Sequence, residues 1–169
     1  VTSIGISVFE LCLSLESITF LGDVKSIGDH AFQSCSRLQN ITIPEHVTSI
    51  GISVFEFCSS LKRITFLGDI KSIGDHAFQS CSSLQNITIP EHVISIGNNS
   101  FQSCSSLTSI KILGNIISFG EYSFSKCPLL GEVYYFGETI PEYGPEIFES
   151  TKVEVIFVSE KYTSEDFCG

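Results

Sequence analysis

The sequence predicts a solenoid, in which short turns of chain stack along one axis and bury a shared core. The first observation is self-similarity: residues 1–46 and 47–92 are identical at 40 of 46 positions, and each block divides into two turns of equal length. The second is that the same apolar residue types recur at the same place in each turn. The third is that one turn holds only about seven inward apolar positions, which stacked neighbours can bury but a single turn cannot.

Each turn begins with an Ile-Gly or Phe-Gly pair and continues through Phe, Cys and Leu to a short closing segment. The Phe column is Phe9, Phe32, Phe55, Phe78, Phe101 and Phe124. The Cys column is Cys12, Cys35, Cys58, Cys81, Cys104 and Cys127. The closing segment alternates apolar and polar residues, as in Leu84–Ile89, and this period of two predicts a strand. Such strands stack in parallel about 4.8 Å apart, which gives one curved sheet on the concave side.

The rest of each turn predicts short elements on the other side. In the segment 29–35 and its copies, Phe and Cys lie three residues apart, which suits one or two helical turns. Asp29 and Asp75 stand where an N-cap would serve such a helix. The Ser-Ile-Gly triplet before them predicts a second short strand, and its glycine, as at Gly28, allows a sharp corner.

The period degrades near the C-terminal end. The pattern continues to residue 158 with one insertion and one deletion, Thr151 replaces the Cys, and Pro141 and Pro145 interrupt the chain. We therefore expect an array of about seven repeats over residues 1–158, the last one irregular, and a C-terminal cap over residues 159–169. Val1 begins in the middle of a unit, so we expect a fragment of a longer protein.

The unit at Val24–Pro44 and Ile70–Pro90 reads Val/Ile-x-x-Ile-Gly-x-x-x-Phe-x-x-Cys-x-x-Leu-x-x-Ile-x-Ile-Pro. It resembles the BspA-like leucine-rich repeat, the Treponema pallidum-type class associated with surface proteins. The unit recurs six times in phase, although Leu21, Leu67 and Leu113 stand where alternate units have proline.

The resemblance implies a leucine-rich repeat solenoid, a horseshoe-like right-handed superhelix that is exposed on a cell surface or secreted. It also implies adhesion to host cells or to matrix proteins such as fibronectin, and it brings no catalytic residues. The closing segment Glu165–Gly169 looks like the end of the array in protist members of the class.

The charge narrows the kinds of partner. The chain has 9 Lys+Arg and 19 Asp+Glu, for a formal net charge of −10. This balance argues against a nucleic-acid partner, because phosphate binding needs a basic surface. Residues 121–169 hold 10 acidic and 3 basic side chains, so −7 of the −10 lies there. No apolar run approaches the roughly 18 residues that a membrane span needs, so we expect membrane attachment only through a flanking anchor.

The cysteines allow three interpretations. Six form a column, and in that apolar setting we expect free, buried thiols. Disulfides between neighbouring turns are an alternative, because same-phase residues lie about 5 Å apart. A metal site is a third, although no Cys-x-x-Cys pair is present. Cys168 lies outside the column and is the one candidate for a reactive or pairing thiol.

The sequence gives little support for an enzyme, because its histidines are spread along the chain and the known catalytic motifs are absent. His30, His46, His76 and His92 each follow an acidic residue, but equivalent histidines are two turns apart, roughly 10 Å, which is too far to share a metal ion. We interpret them as surface turn residues. The sequence contains no glycine-rich phosphate loop, nucleophile elbow or zinc-protease motif. We expect no catalytic activity, cofactor or metal.

Three sequons begin at Asn40, Asn86 and Asn98, which makes these residues candidate glycosylation sites. Chance is the alternative explanation, because a chain rich in Ser and Thr contains sequons at random. Glycans on Asn40 and Asn86 would crowd the concave face.

Sheet alternation predicts which side chains the concave face presents to a partner. In the first turns these are mostly Thr, Asn and Ser, whereas the later turns add charge and aromatic rings. The candidate partner-binding residues are Arg63, Lys111, Glu132, Tyr134, Phe136 and Phe157. The alternative is that the aromatic residues cover the last turn beneath the cap.

The sequence therefore predicts a non-enzymatic cell-surface or secreted module for protein binding or adhesion, acting through its concave and C-terminal surface. An intracellular leucine-rich repeat scaffold is the alternative. Self-association is a further expectation, because a solenoid that starts in mid-unit exposes an apolar end.

Overall fold

The computed structural model describes residues 1–163 and 167, and it contains strands and turns but no helix within those residues. The strands are β1 (Ser3–Ile4), β2 (Ser26–Ile27), β3 (Asn40–Ile43), β4 (Ser49–Ile50), β5 (Arg63–Phe66), β6 (Ser72–Ile73), β7 (Asn86–Ile89), β8 (Ser95–Ile96), β9 (Ser109–Ile112), β10 (Ser118–Phe119), β11 (Glu132–Tyr135), β12 (Glu142–Tyr143) and β13 (Val155–Val158).

The strands form two stacks, and every pairing is parallel. The four-residue strands pair as β3-β5 and as β7-β9-β11-β13. The two-residue strands pair as β1-β2 and as β4-β6-β8-β10-β12. The predicted solenoid is therefore confirmed, with both predicted strands in each turn except the first, where Ser17 forms only an isolated bridge with Asn40.

The core lies between the two stacks and is built from the predicted columns. In β3 and β7 the two isoleucines of each strand are buried and the two polar residues are exposed. The Phe rings form one continuous stack, with Phe55 and Phe101 lying 5.4 and 5.1 Å from Phe78 between ring centroids. Each central ring therefore owes its burial to the turns on both sides of it.

The predicted helical turns are wrong. In the segment 29–35, the N–H groups of His30, Phe32 and Ser34 donate to carbonyls of the next turn, at 2.9, 3.0 and 2.7 Å. The N–H groups of Gln33 and Cys35 instead donate three residues back, to the carbonyls of His30 and Phe32, at 3.0 and 3.1 Å. His30 and Ser34 have φ of 58° and 60°. A helix cannot form, because alternate N–H groups bond to a neighbouring turn and two residues adopt left-handed backbone.

The predicted N-caps are wrong for the same reason. The carboxylate of Asp29 accepts a hydrogen bond from the N–H of Ile52 at 2.8 Å, and that of Asp75 accepts one from Asn98 at 2.8 Å. The Asn98 side chain repeats the contact with the N–H of Glu121 at 2.8 Å. These side chains therefore link one turn to the next.

The glycine column is needed for close approach between turns. A Cβ added at Gly74 would lie 2.7 Å from the carbonyl carbon of Gly51, closer than Cβ contacts normally come. The glycines thus allow backbone-to-backbone packing of neighbouring turns, and their role in a sharp corner stays a prediction.

The last turn keeps the strand register despite its irregular sequence. Phe119 pairs with Tyr143, one position beyond the regular repeat, and Val133 pairs with Ile156 at the regular repeat spacing. An insertion therefore precedes a deletion, as predicted. The hydroxyl of Thr151 donates to the carbonyl of Phe148 at 2.7 Å.

An aromatic cluster covers the core at this end. The rings of Tyr162 and Phe167 lie 5.9 and 4.8 Å from that of Tyr135 between centroids. Within the segment Glu165–Gly169 the structure describes Phe167 alone, and residue 164 also lies outside the described residues. The boundaries of the array and of the cap therefore remain predictions.

Candidate interaction surface

The outward side chains of the four-residue strands form a surface that we call the long-strand face. Because the strands are parallel and in register, equivalent residues stand next to one another in columns across this face. One column contains Thr42 and Thr65 at its N-terminal end. At the C-terminal end the same column becomes Thr88, Lys111, Tyr134 and Phe157. The surface chemistry therefore changes from small hydroxyls to a cation and two aromatic rings.

The structure brings four of the six predicted partner-binding residues together. The rings of Tyr134 and Phe157 stack with centroids 4.8 Å apart and planes inclined by 15°. Lys111 Nζ lies 5.9 Å from the centroid of Tyr134. The Tyr134 hydroxyl donates to a carboxylate oxygen of Glu132 at 3.3 Å. We call these four residues the aromatic column.

The electrostatics of the column follow from these contacts. The pKa of Tyr134 is raised, because partial desolvation and the negative charge of Glu132 both disfavour the phenolate. Lys111 faces the electron-rich side of the tyrosine ring, where a cation is attracted to the ring quadrupole. The column thus already holds one cation against an aromatic face.

The other two predicted residues lie outside this column. Phe136 directly follows β11, and 48% of its surface is exposed. Arg63 opens β5 and is exposed, in the position that Glu132 occupies in β11. Three strand spacings separate Arg63 and Glu132, about 14 Å. The structure therefore places Phe136 beside the column and Arg63 away from it.

A groove next to the column was not predicted. It has a volume of about 810 Å³ and runs past the carboxyl ends of the later long strands. Its apolar lining includes Leu113, Phe136 and Val158, and its carboxylates are those of Glu91, Glu138 and Glu160. Lys161 also lines it and pairs with Glu138 at 3.3 Å. We call it the C-terminal groove.

The sequence pattern indicates where some of the residues that line the groove lie. Leu113 and Phe136 are separated by the same interval as Phe55 and Phe78, so the repeat length alone places them in adjacent turns. Val158 falls in a core position of the pattern, but 45% of its surface is exposed at the last long strand of the described residues.

The histidines hold local contacts within and between turns. His46 Nδ1 lies 2.6 Å from a carboxylate oxygen of Asp23, and His92 Nε2 lies 3.4 Å from one of Asp69. His30 bonds to Gln33 within its own turn. Within the described part of the chain, His, Cys, Asp and Glu side chains form no cluster of three or more that could hold a metal ion.

The six column cysteines are free thiols, and five of them are buried. Each from Cys35 onward donates to the carbonyl of a Phe in the preceding turn, as Cys58 does to Phe32 at 3.2 Å. Burial raises the pKa of Cys35 to about 11, and it raises that of Cys81 well above the ordinary value. Such thiols stay protonated and unreactive near neutral pH. Cys168, the candidate reactive thiol, lies outside the described residues.

The three sequons lie in different settings. Asn40 and Asn86 are exposed at the first positions of β3 and β7. The side chain of Asn98 is partly buried and already accepts a hydrogen bond from Glu121. A glycan would be attached at Nδ2 and would leave this Oδ1 acceptor in place, so Asn98 differs from Asn40 and Asn86 in its partial burial.

In the described residues, no helix has the length and apolar character that a membrane crossing requires.

The fold and this surface define a leucine-rich repeat solenoid of the kind that presents a continuous sheet face to other proteins. A family model described as the BspA type leucine rich repeat region matches residues 1–101 and 58–166, in six copies. The chain belongs to this family. Its members are repeat proteins, and the family and fold are typical of non-enzymatic protein-interaction modules.

The solved structures that are similar to this chain include two leucine-rich repeat proteins. The leucine-rich repeat protein of Treponema pallidum is 29% identical over 89% of this chain and 70% of its own length, with a TM-score of 0.80. A leucine-rich repeat protein from Bacteroides ovatus is 29% identical over 96% of this chain, with a TM-score of 0.77. This chain spans 48% of the length of the Bacteroides ovatus protein. No curated protein sequence matches it.

Proposed function

We propose that the chain is an adhesion or recognition module that works on a cell surface or as a secreted protein. It binds a host-cell or extracellular-matrix protein, such as fibronectin, through the long-strand face and the C-terminal end. The extracellular location is supported by the resemblance of the repeat to the class associated with treponemal surface proteins. Repetition along the array suits a modest affinity at each contact that multivalent display increases.

The observation that carries the proposal is the exposed aromatic column. Phe157 is 48% exposed although it stacks on Tyr134. Stacked, outward-facing aromatic rings resemble the anchors that supply much of the binding energy at protein interfaces. The N-terminal positions of the same column hold only Thr42 and Thr65. The two ends of one surface therefore differ in the feature that matters most for binding a protein.

The test is binding of the chain to immobilised matrix proteins, fibronectin among them, measured by surface plasmon resonance at micromolar concentrations. Tyr134→Ser with Phe157→Ser should remove binding. The matched control is Thr42→Ser with Thr65→Ser, which changes the same column at its other end and should leave binding unchanged. Absence of binding by the unmodified chain, or equal binding by both double variants, would contradict the proposal.

The alternative, an intracellular scaffold, makes a different prediction for protein taken from its native source. An extracellular protein can carry a glycan on Asn40 or an oxidised Cys168, whereas an intracellular scaffold should carry neither. Intact-mass analysis before and after reduction and deglycosylation distinguishes the two locations.

A further inference from the structure

We infer that the aromatic column and the C-terminal groove together bind an extended, positively charged peptide segment of a partner protein. This inference rests on the proposed function and names the chemistry of the segment that the surface takes. It follows from the order of residues in the column, the lining of the groove and the charge around both.

The column is arranged to receive a cation at its end. Its outward side chains follow in the order Lys111, Tyr134 and Phe157, with one side chain from each of three neighbouring strands. Lys111 occupies one side of the tyrosine ring and Phe157 occupies the other. β13 is the end strand of its sheet in the described residues, so its outward ring has no strand neighbour on the far side there. An arginine or lysine on that side of Phe157 would repeat the contact that Lys111 makes with Tyr134.

The groove is suited to a second cationic side chain. Leu113, Phe136 and Val158 provide apolar surface for the aliphatic stem of a lysine or arginine. Glu91, Glu138 and Glu160 provide carboxylates for its charged head. Lys161 is the basic residue of the lining, and its pairing with Glu138 leaves Glu91 and Glu160 to face a ligand, with His92 beside Glu91 at 3.4 Å. Phe157 and Val158 are adjacent in β13, so one extended segment can reach both places.

The surrounding charge favours the same class of ligand. Residues 121–169 carry a formal charge of −7, which raises the local concentration of cationic segments and repels acidic ones. A neutral sugar could also stack on an aromatic ring, but it would gain nothing from this charge. The observations therefore favour a basic peptide over a carbohydrate.

The equivalent groove at the other end shares the apolar lining, with Phe20 and Leu67, but differs in its ion pairing and in the neighbouring column. It is lined by Asp23, Glu45 and His46, among others. Asp23 is already paired with His46 at 2.6 Å and with Lys25 at 3.6 Å. The neighbouring column positions are threonines. This groove provides a matched control for a purely electrostatic attraction to carboxylates.

The experiment measures fluorescence anisotropy of a labelled octapeptide that alternates arginine and valine, titrated with the complete chain at low and at high salt. Control peptides replace each arginine with glutamine or glutamate, and a neutral oligosaccharide is tested as competitor. The arginine peptide should bind and weaken with salt, and the controls should not bind. Phe157→Ala should weaken binding about tenfold, the loss of one cation–aromatic contact.

Further variants separate the groove from general charge. Glu91→Gln with Glu160→Gln should weaken binding by a similar factor, whereas Asp23→Asn with Glu45→Gln should leave it unchanged. Equal losses from the two pairs, binding of the glutamine peptide, or displacement by the sugar would each overturn the inference. Circular dichroism of each variant checks that it is folded, which is expected because the changed side chains are exposed.

Failure of the inference is distinguishable from failure of the proposed function. If the chain binds a matrix protein and the arginine peptide does not compete, the inference is wrong and the proposed function stands. If the peptide binds at this site and no matrix protein does, the proposed adhesive function is wrong.

Discussion

Replacing Phe78 with alanine tests whether the stack of rings holds the array together. Phe78 is fully buried, and its ring stacks on Phe55 at 5.4 Å and on Phe101 at 5.1 Å. Removing a buried Phe ring usually costs about 3–5 kcal/mol. Since this ring has a stacked partner on each side, we expect the free energy of unfolding to fall by about 4 kcal/mol.

The matched control is Phe9→Ala, in the first turn. Phe9 is only partly buried, and it stacks on Phe32 at 5.2 Å, with no preceding ring in this chain. We expect a loss of about 2 kcal/mol, roughly half of that for a fully buried ring. Phe78→Leu keeps most of the apolar volume but loses both stacked pairs, and it should also cost about 2 kcal/mol.

The assay is urea unfolding followed by far-UV circular dichroism and by tyrosine fluorescence, since the chain has five Tyr and no Trp. In an array stabilised by nearest neighbours, a central defect uncouples the turns on either side, so Phe78→Ala should also broaden the transition. If Phe78→Ala costs no more than Phe9→Ala, then burial by both neighbouring turns does not stabilise the central rings, and the reasoning fails.

Three further predictions follow from other contacts between turns. Gly74→Ala should cost about 1–3 kcal/mol of stability because its Cβ would lie 2.7 Å from the neighbouring backbone, whereas Gly131→Ala, with its nearest atom 4.0 Å away, should be tolerated; urea unfolding compares them. Asp75→Ala should cost about 1 kcal/mol of stability and lower the midpoint of thermal unfolding, because the Asn98 N–H loses its acceptor. Asp75→Asn keeps a side-chain oxygen and should not lower the midpoint; a loss from both variants would contradict the role of that oxygen. In a Cys168→Ser variant, Ellman's reagent at mildly alkaline pH should react readily with Cys12 and with the other five thiols only after unfolding, because all five are buried away from the reagent. Burial also raises the pKa of Cys35 to about 11 and that of Cys81 well above its ordinary value, which keeps their nucleophilic thiolates scarce; rapid reaction of six thiols in the native state would refute this.

The two-residue and four-residue strands were predictable from the sequence because both kinds of strand depend on residue spacing. The alternation in Asn40–Ile43 and the constant repeat length together place every inward side chain of a regular turn. The aromatic column was predictable for the same reason, since the repeat length puts Lys111, Tyr134 and Phe157 at equivalent places in successive turns.

The helical turns were mispredicted because spacing alone is ambiguous there. A separation of three residues between Phe32 and Cys35 fits a helical turn and also fits a turn with an i to i−3 hydrogen bond. What decides between them is the left-handed backbone at His30 and Ser34, which no glycine marks in the sequence. The groove needed the structure for a different reason: an insertion and a deletion separate Val158 from the regular repeats, and the pairing of Lys161 with Glu138 depends on side-chain placement.

Hydrogen–deuterium exchange of the chain with and without its bound partner tests the central claim, that recognition takes place at the C-terminal end of the long-strand face. The partner can be the matrix protein that the chain captures. We expect slower exchange in Glu132–Tyr135 and Val155–Val158 on binding, and no change in Asn40–Ile43. Protection of Asn40–Ile43 without protection of the two C-terminal strands would contradict it.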